Sequence, residues 1–139
     1  MPELAAEVAF EVPFFDVDVM DVAWHGHYVK YFELARCALL RKIDYDYPKM
    51  RDSGYAWPVV KCYLKFVRSA RYGQQVVARA ILRDYKNQLR LDYEIRDAAS
   101  GERLTTGYTV QLAVAMPTGE LQFVSPNCLI ERVEKACEN

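Results

Sequence analysis

The sequence predicts an α+β fold in which one curved antiparallel sheet wraps a single long helix. Three observations carry this reading. The stretch HYVKYFELARCALLRKI is apolar around most of a helical cylinder, one strand-like run precedes it, and several alternating runs joined by turn-rich links follow it.

The first strand is read from Val8 to Phe14, where Val8, Phe10, Val12 and Phe14 alternate with Ala9, Glu11 and Pro13. The segment FFDVDVMDVAWHG that follows cannot be a simple strand, because three carboxylates interrupt it at close spacing; it reads as an irregular loop feeding a helix. From about Gly26, Tyr28, Phe32, Ala35, Leu39 and Ile43 fall at helical spacing, and Tyr31, Leu34 and Ala38 widen the stripe. Only Lys30, Glu33 and Arg41 mark a polar seam, so the helix should lie embedded against a sheet. A short turn or helical hitch is expected from Pro48 to Gly54.

Further strands are expected over Trp57–Val67, Gln74–Tyr85, Leu89–Arg96 and Glu102–Met116, with a brief one around Leu121–Val124. Links such as Arg71-Tyr72-Gly73, Lys86-Asn87-Gln88 and Asp97 to Gly101 carry turn chemistry, which suggests a meander of hairpins. Ser125 then offers an N-cap and Pro126 a first helical position for a short C-terminal helix bearing Leu129, Ile130, Val133 and Ala136.

With 139 residues, 52% of them hydrophobic, the chain suits one domain spanning 1–139. A formal net charge of −1 leaves no basic field of the kind that gathers phosphates, which argues against a nucleic-acid partner. The N-terminal MPELAAEVAFEVPF is acidic where a signal peptide is basic and has no apolar run long enough to span a bilayer, so a cytoplasmic location is expected. Cys37, Cys62, Cys128 and Cys137 form no CxxC pair and are read as reduced thiols, with Cys37 and Cys62 as small buried hydrophobes.

The chemically dense stretch runs from Phe14 to Tyr28 and holds Asp16, Asp18, Asp21, His25 and His27. Aspartates ahead of a helix commonly serve as caps and turn formers. The same five residues also suit a mononuclear metal site by ligand type, but two positions at a helix start splay the rings of His25 and His27 apart, and no metal is expected.

The stretch resembles the signature of hotdog-fold thioesterases of the 4-hydroxybenzoyl-CoA thioesterase group: an aromatic pair, an aspartate, a second aspartate two residues on, and a histidine or aromatic residue shortly before a tyrosine that begins the central helix. Here these are Phe14-Phe15, Asp16, Asp18, His25 and Tyr28, and YVKYFELAR also looks like the family's helix. Many relatives carry glycine where this chain has Asp21 and asparagine where it has His27. The resemblance implies a hotdog fold, hydrolysis of an acyl thioester on coenzyme A or an acyl carrier protein, and a homodimer or homotetramer that builds its pocket at the subunit interface. No cofactor is implied beyond the coenzyme A or phosphopantetheine of the substrate. The segment GYAWPVVKCYLKFVRSARYG further resembles thioesterases of aryl polyene or polyketide-like biosynthesis.

By resemblance Asp18 is the nucleophile or general base, and His25 is a candidate second catalytic residue that orients substrate or water, against the alternative of a histidine whose ring bonds a backbone carbonyl. His25, Gly26 and Tyr28, at the helix N-terminus, would form the oxyanion and substrate-binding surface. That assignment is chemically economical. A thiol leaving group has a pKa near 8.5 and departs without a strong acid, so one carboxylate and a set of unpaired amides can suffice. Asp16 and Asp21 are read as structural or solvent-facing, and His27 as a plain helix-start residue. Arg68, Arg71, Lys86 and Arg90, at or near strand ends, are candidate contacts for substrate phosphates, against the alternative that they protect a strand edge. Two rival functions share the fold: a dehydratase or hydratase using His25 or His27 as its base, and a non-catalytic acyl-carrier binding protein.

Overall fold

The structure, a computed structural model, describes residues 3–138; the first two residues, where the acidic N-terminal reading begins, lie outside them. Strand β1 (Ala5–Glu11) leads through a 3-10 turn (Phe14–Asp16) and a second one (His25–His27) into helix α1 (Tyr28–Lys42). A short helix α2 (Tyr47–Asp52) and strands β2 (Tyr55–Ala56), β3 (Val59–Phe66), β4 (Gln75–Asp84), β5 (Leu89–Asp97), β6 (Arg103–Gln111), β7 (Val114–Ala115) and β8 (Glu120–Leu121) follow, before helix α3 (Asn127–Cys137). This is the expected α+β architecture of one sheet around one long helix.

The sheet order is β1-β4-β5-β6-β3, antiparallel throughout, and β2-β7-β8 form a small second sheet. The meander expectation therefore needs correction. Strands β4, β5 and β6 do run as successive hairpins, but β3 pairs with β6 at the far edge of the sheet and β4 pairs with β1. Arg71-Tyr72-Gly73 is not a hairpin tip between β3 and β4. It ends a crossing link in which Gly73, at φ +79°, turns the chain into β4.

Alternation along β5 places Leu89, Leu91, Tyr93 and Ile95 in the core. From α1, Tyr31, Phe32, Ala35 and Leu39 meet them, with Phe32 stacked on Tyr93 at 4.5 Å between centroids. Gly107 of β6 makes that approach possible, since a Cβ there would collide with the carbonyl of Tyr63 and the ring of Phe32.

Three boundaries differ from the sequence reading. β1 lies earlier than expected, because Pro13 has no N–H to pair and the chain turns at Phe14. The expected strand over Glu102–Met116 breaks after Gln111 and resumes as β7. Helix α3 takes Pro126 as its N-cap, and the Ser125 hydroxyl, although buried, makes no capping bond. Cys62 corrects the buried-thiol reading: it sits exposed on edge strand β3, while Cys37 is half-buried. No helix among the described residues is long and apolar enough to cross a membrane.

Candidate active site

The loop between β1 and α1 is a miniature hairpin. Val17 bridges Ala23, the Asp18 N–H donates to Val22 O at 2.9 Å, and the Asp21 N–H donates to Asp18 O at 3.0 Å. Closing so tight a turn places Asp21 at φ +65°, in the left-handed region that suits glycine and that aspartate tolerates better than most residues. The glycine common at this position in the family thus has a backbone reason, and Asp21 marks a strained turn rather than a ligand.

Asp18 stands exposed at the start of this turn. Its Oδ1 accepts the Met20 N–H at 2.8 Å, which fixes the carboxylate and leaves Oδ2 with no partner among the described residues. The carboxylate acts on the phenol of Tyr28: burial raises the Tyr28 pKa first, the Ala70 amide opposes this, and the negative charge of Asp18 raises it further.

Asp16 has the opposite setting. It is 1% exposed, with Oδ1 accepting from Lys30 Nζ at 2.6 Å and Oδ2 from the Tyr31 hydroxyl at 2.7 Å. Burial works to raise its pKa, but the bonds from Lys30 and Tyr31, with the nearby charges of Lys30 and His27, hold it below the usual carboxylate range. Both oxygens are engaged, so Asp16 clamps the loop onto α1. The same bond and charge drive the Tyr31 hydroxyl upward after burial has already done so.

The 3-10 turn His25–His27 delivers the chain to α1. The His27 N–H donates to Trp24 O and the Tyr28 N–H to His25 O, whereas the amides of His25 and Gly26 have no protein partner among the described residues. Those two N–H groups are the ones free to hold an anionic oxygen. Gly26 lacks a side chain for a packing reason, because a Cβ there would run into the six-membered ring of the Trp24 indole. The His25 ring packs against Trp24 and Phe66, while His27 packs against Trp24 and turns Nδ1 to within 3.9 Å of Asp16. His27 is thus part of the Asp16 cluster, which sequence spacing did not reveal.

Tyr28, expected on the substrate-binding surface, lies inward. Its side chain is 2% exposed, its hydroxyl accepts the Ala70 N–H at 3.0 Å, and its own N–H is used within the helix turn. It secures the link between β3 and β4 from inside the core.

The four cations separate into two sets. Arg68 and Arg71 lie on the Val67–Gln74 link, which is tied to the loop by Val22–Arg71 bridging and by Ala23 N–H to Ala70 O at 2.7 Å. Both line a cavity of about 520 Å³ beside that link, although Arg68 is paired with Glu102 and Asp97 also faces the space. Lys86 and Arg90 are carried to the opposite end of β4 and β5, where Lys86 faces Tyr85 and Arg90 lies over the Tyr108 ring at 4.2 Å, held by Asp92. Within one subunit they cannot join Arg68 and Arg71, because ten residues of extended β4 intervene.

A family model described as the thioesterase-like superfamily matches residues 12–134. The DHNA-CoA thioesterase of Staphylococcus aureus superposes with a TM-score of 0.82 at 24% identity, covering 96% of this chain and 89% of that one. A 4-hydroxybenzoyl-CoA thioesterase superposes at 0.79 with 14% identity over 93% of this chain and 98% of its own. At these identities the likeness carries the fold. A Synechocystis sp. protein provisionally named an esterase is 28% identical over 131 residues, 93% of this chain and 78% of the relative. With the family model spanning nearly the whole chain and the sheet closing on α1 as in these structures, the chain belongs to the thioesterase-like superfamily of hotdog-fold thioester hydrolases.

Proposed function

We propose that the protein hydrolyses an acyl thioester carried on coenzyme A or on the phosphopantetheine of an acyl carrier protein. The reading is supported by a carboxylate with one free oxygen, Asp18, in the loop that leads to α1, and by the two unpartnered amides of His25 and Gly26 just ahead of that helix. The amides and the positive end of the helix favour a developing oxyanion. Oδ2 of Asp18 is the group that draws a proton from water as the water oxygen bonds to the thioester carbon, or that attacks the carbon itself. The C–S bond then breaks and the thiolate leaves with the electron pair, which its low pKa permits; on the nucleophilic route water then cleaves the mixed anhydride, releasing the acid and restoring Asp18. His25 orients the acyl group or the water from its place against Phe66. Arg68 and Arg71 are the cations placed to meet substrate phosphates.

The active form is a homodimer or higher homo-oligomer. Edge strand β3 leaves one side of its backbone unpaired and exposes Val59, Val60, Tyr63 and Phe66, the condition under which a second copy adds its own edge. Thiol release from a panel of acyl-CoA and acyl carrier protein thioesters, run on the parent and on Asp18→Asn, tests the reading. Turnover by the parent and its loss in the variant are expected; undiminished hydrolysis by Asp18→Asn removes Asp18 from the mechanism. Hydration of an enoyl thioester without thiol release would instead select the dehydratase class.

A further inference from the structure

The turn that carries the two free amides is exposed. None of its three residues is buried, and no side chain caps it. Its backbone is tied at the start, where the Trp24 N–H donates to Asp16 O at 2.9 Å and Trp24 O accepts the His27 N–H at 2.9 Å. Its middle residue is Gly26, which lacks the Cβ that confines other residues. A short exposed turn centred on glycine holds two N–H groups loosely. An oxyanion site needs the opposite, because its donors must already be in place when the charge develops.

The Trp24 side chain supplies the restraint. A Cβ added at Gly26 would lie 2.1 Å from Cζ3, 2.5 Å from Cη2 and 2.6 Å from Cε3 of the indole, and apart from the chain neighbours these are the atoms nearest that position. The six-membered ring therefore rests in van der Waals contact with the Gly26 backbone. The same indole packs on His25, with centroids 5.0 Å apart and planes at 47°, and edge-to-face on His27 at 5.5 Å. All three residues of the turn thus meet one side chain. Trp24 is nonetheless 49% exposed and lies outside the hydrophobic core, so truncating it leaves the packing of α1 on the sheet as it was.

Resting on the thioesterase reading above, the structure assigns Trp24 as a positioning residue for the oxyanion turn. Its indole fixes Gly26, and with it the direction of the His25 and Gly26 N–H groups, and covers one side of the turn against water. It acts through the glycine and takes no part in making or breaking bonds. The requirement runs both ways: Gly26 makes room for the ring, and the ring removes the freedom that a glycine introduces.

Two measurements on the parent, Trp24→Leu and Trp24→Phe test this. Relaxation of the ¹⁵N-labelled Gly26 amide in the ligand-free protein needs no turnover; an order parameter of about 0.85 is expected in the parent and one below about 0.6 in Trp24→Leu. Trp24→Phe, which keeps a shorter ring, should fall between them. Thiol release from acetyl, decanoyl and benzoyl thioesters of coenzyme A and of an acyl carrier protein gives kcat and KM separately. For the thioesters that the parent turns over, Trp24→Leu should lower kcat about 10–100-fold with KM little changed, because the donors act on the charge of the transition state. Trp24→Phe should recover part of that loss. An unchanged kcat, a loss carried by KM alone, or a Gly26 amide equally rigid in all three proteins overturns the assignment. Should Trp24→Leu fail to fold, the same readouts on Trp24→Phe decide it. A Gly26 amide loosened in Trp24→Leu, with a parent that releases no thiol, refutes the hydrolase and leaves the brace; thiol release that neither variant slows does the reverse.

Discussion

The Tyr28 hydroxyl accepts the Ala70 amide proton at 3.0 Å, tying the first turn of α1 to the link between β3 and β4. Both residues are buried, so the bond is closed to water. Tyr28→Phe keeps the ring and strands the Ala70 N–H without an acceptor. A loss of about 1–3 kcal/mol in unfolding free energy is expected from urea titration. Because the link carries Arg68 and Arg71, KM should rise more than kcat falls. An unchanged midpoint would show that the bond does not brace the link.

Asp18→Asn should lower kcat by about 10²–10⁴ while leaving thermal unfolding within a degree or two of the parent, since the exposed amide can still accept the Met20 N–H. Single-turnover hydrolysis in H2¹⁸O tests the nucleophilic role of the carboxylate: label appearing in Asp18 marks a mixed anhydride cleaved by water at the Asp18 carbon.

Asp16→Asn acts on stability instead. The carboxylate is buried between Lys30 and Tyr31 with its pKa depressed, so its contribution is present above the unfolded value near 3.9 and is lost as pH falls through the lower folded value. The variant should lose about 2 kcal/mol at pH 7. Its deficit against the parent should shrink as both are taken into strong acid. Stability curves that stay parallel down to pH 2 would contradict this.

Gly107→Ala should destabilise by more than an ordinary surface change, about 2–3 kcal/mol, because the new methyl meets a backbone carbonyl that cannot step aside. Gly26→Ala should be milder in stability, since the half-exposed Trp24 indole can swing away. The displaced indole carries His25 with it, so turnover should fall further than stability does.

Val60→Asp places a charge on the exposed edge strand. Sedimentation should show the parent as a dimer or larger and the variant shifted toward monomer. A monomeric parent with full activity would refute the interface.

The order of the main elements, one strand, a long helix and then a run of strands, is legible in the sequence alone. Alternation in β5 and the apolar stripe of α1, where Tyr28, Tyr31, Phe32, Ala35, Leu39 and Leu40 are buried while Lys30, Glu33, Arg41 and Lys42 stay exposed, are periodic signals set by burial on one face, and they are legible without a partner. The order of acids ahead of the helix singled out Asp18 with His25 and left Asp16 as structural or solvent-facing. Tertiary structure supplied the contacts that set the two carboxylates apart. Asp16 and Asp18 are two residues apart and chemically identical, yet Lys30 and Tyr31 consume both oxygens of one while the other keeps Oδ2 free. The edge position of β3 and the inward Tyr28 are equally long-range facts. Local patterning fixes which face of an element is apolar, but strand order and the pairing of each polar atom depend on what the rest of the chain brings to that face.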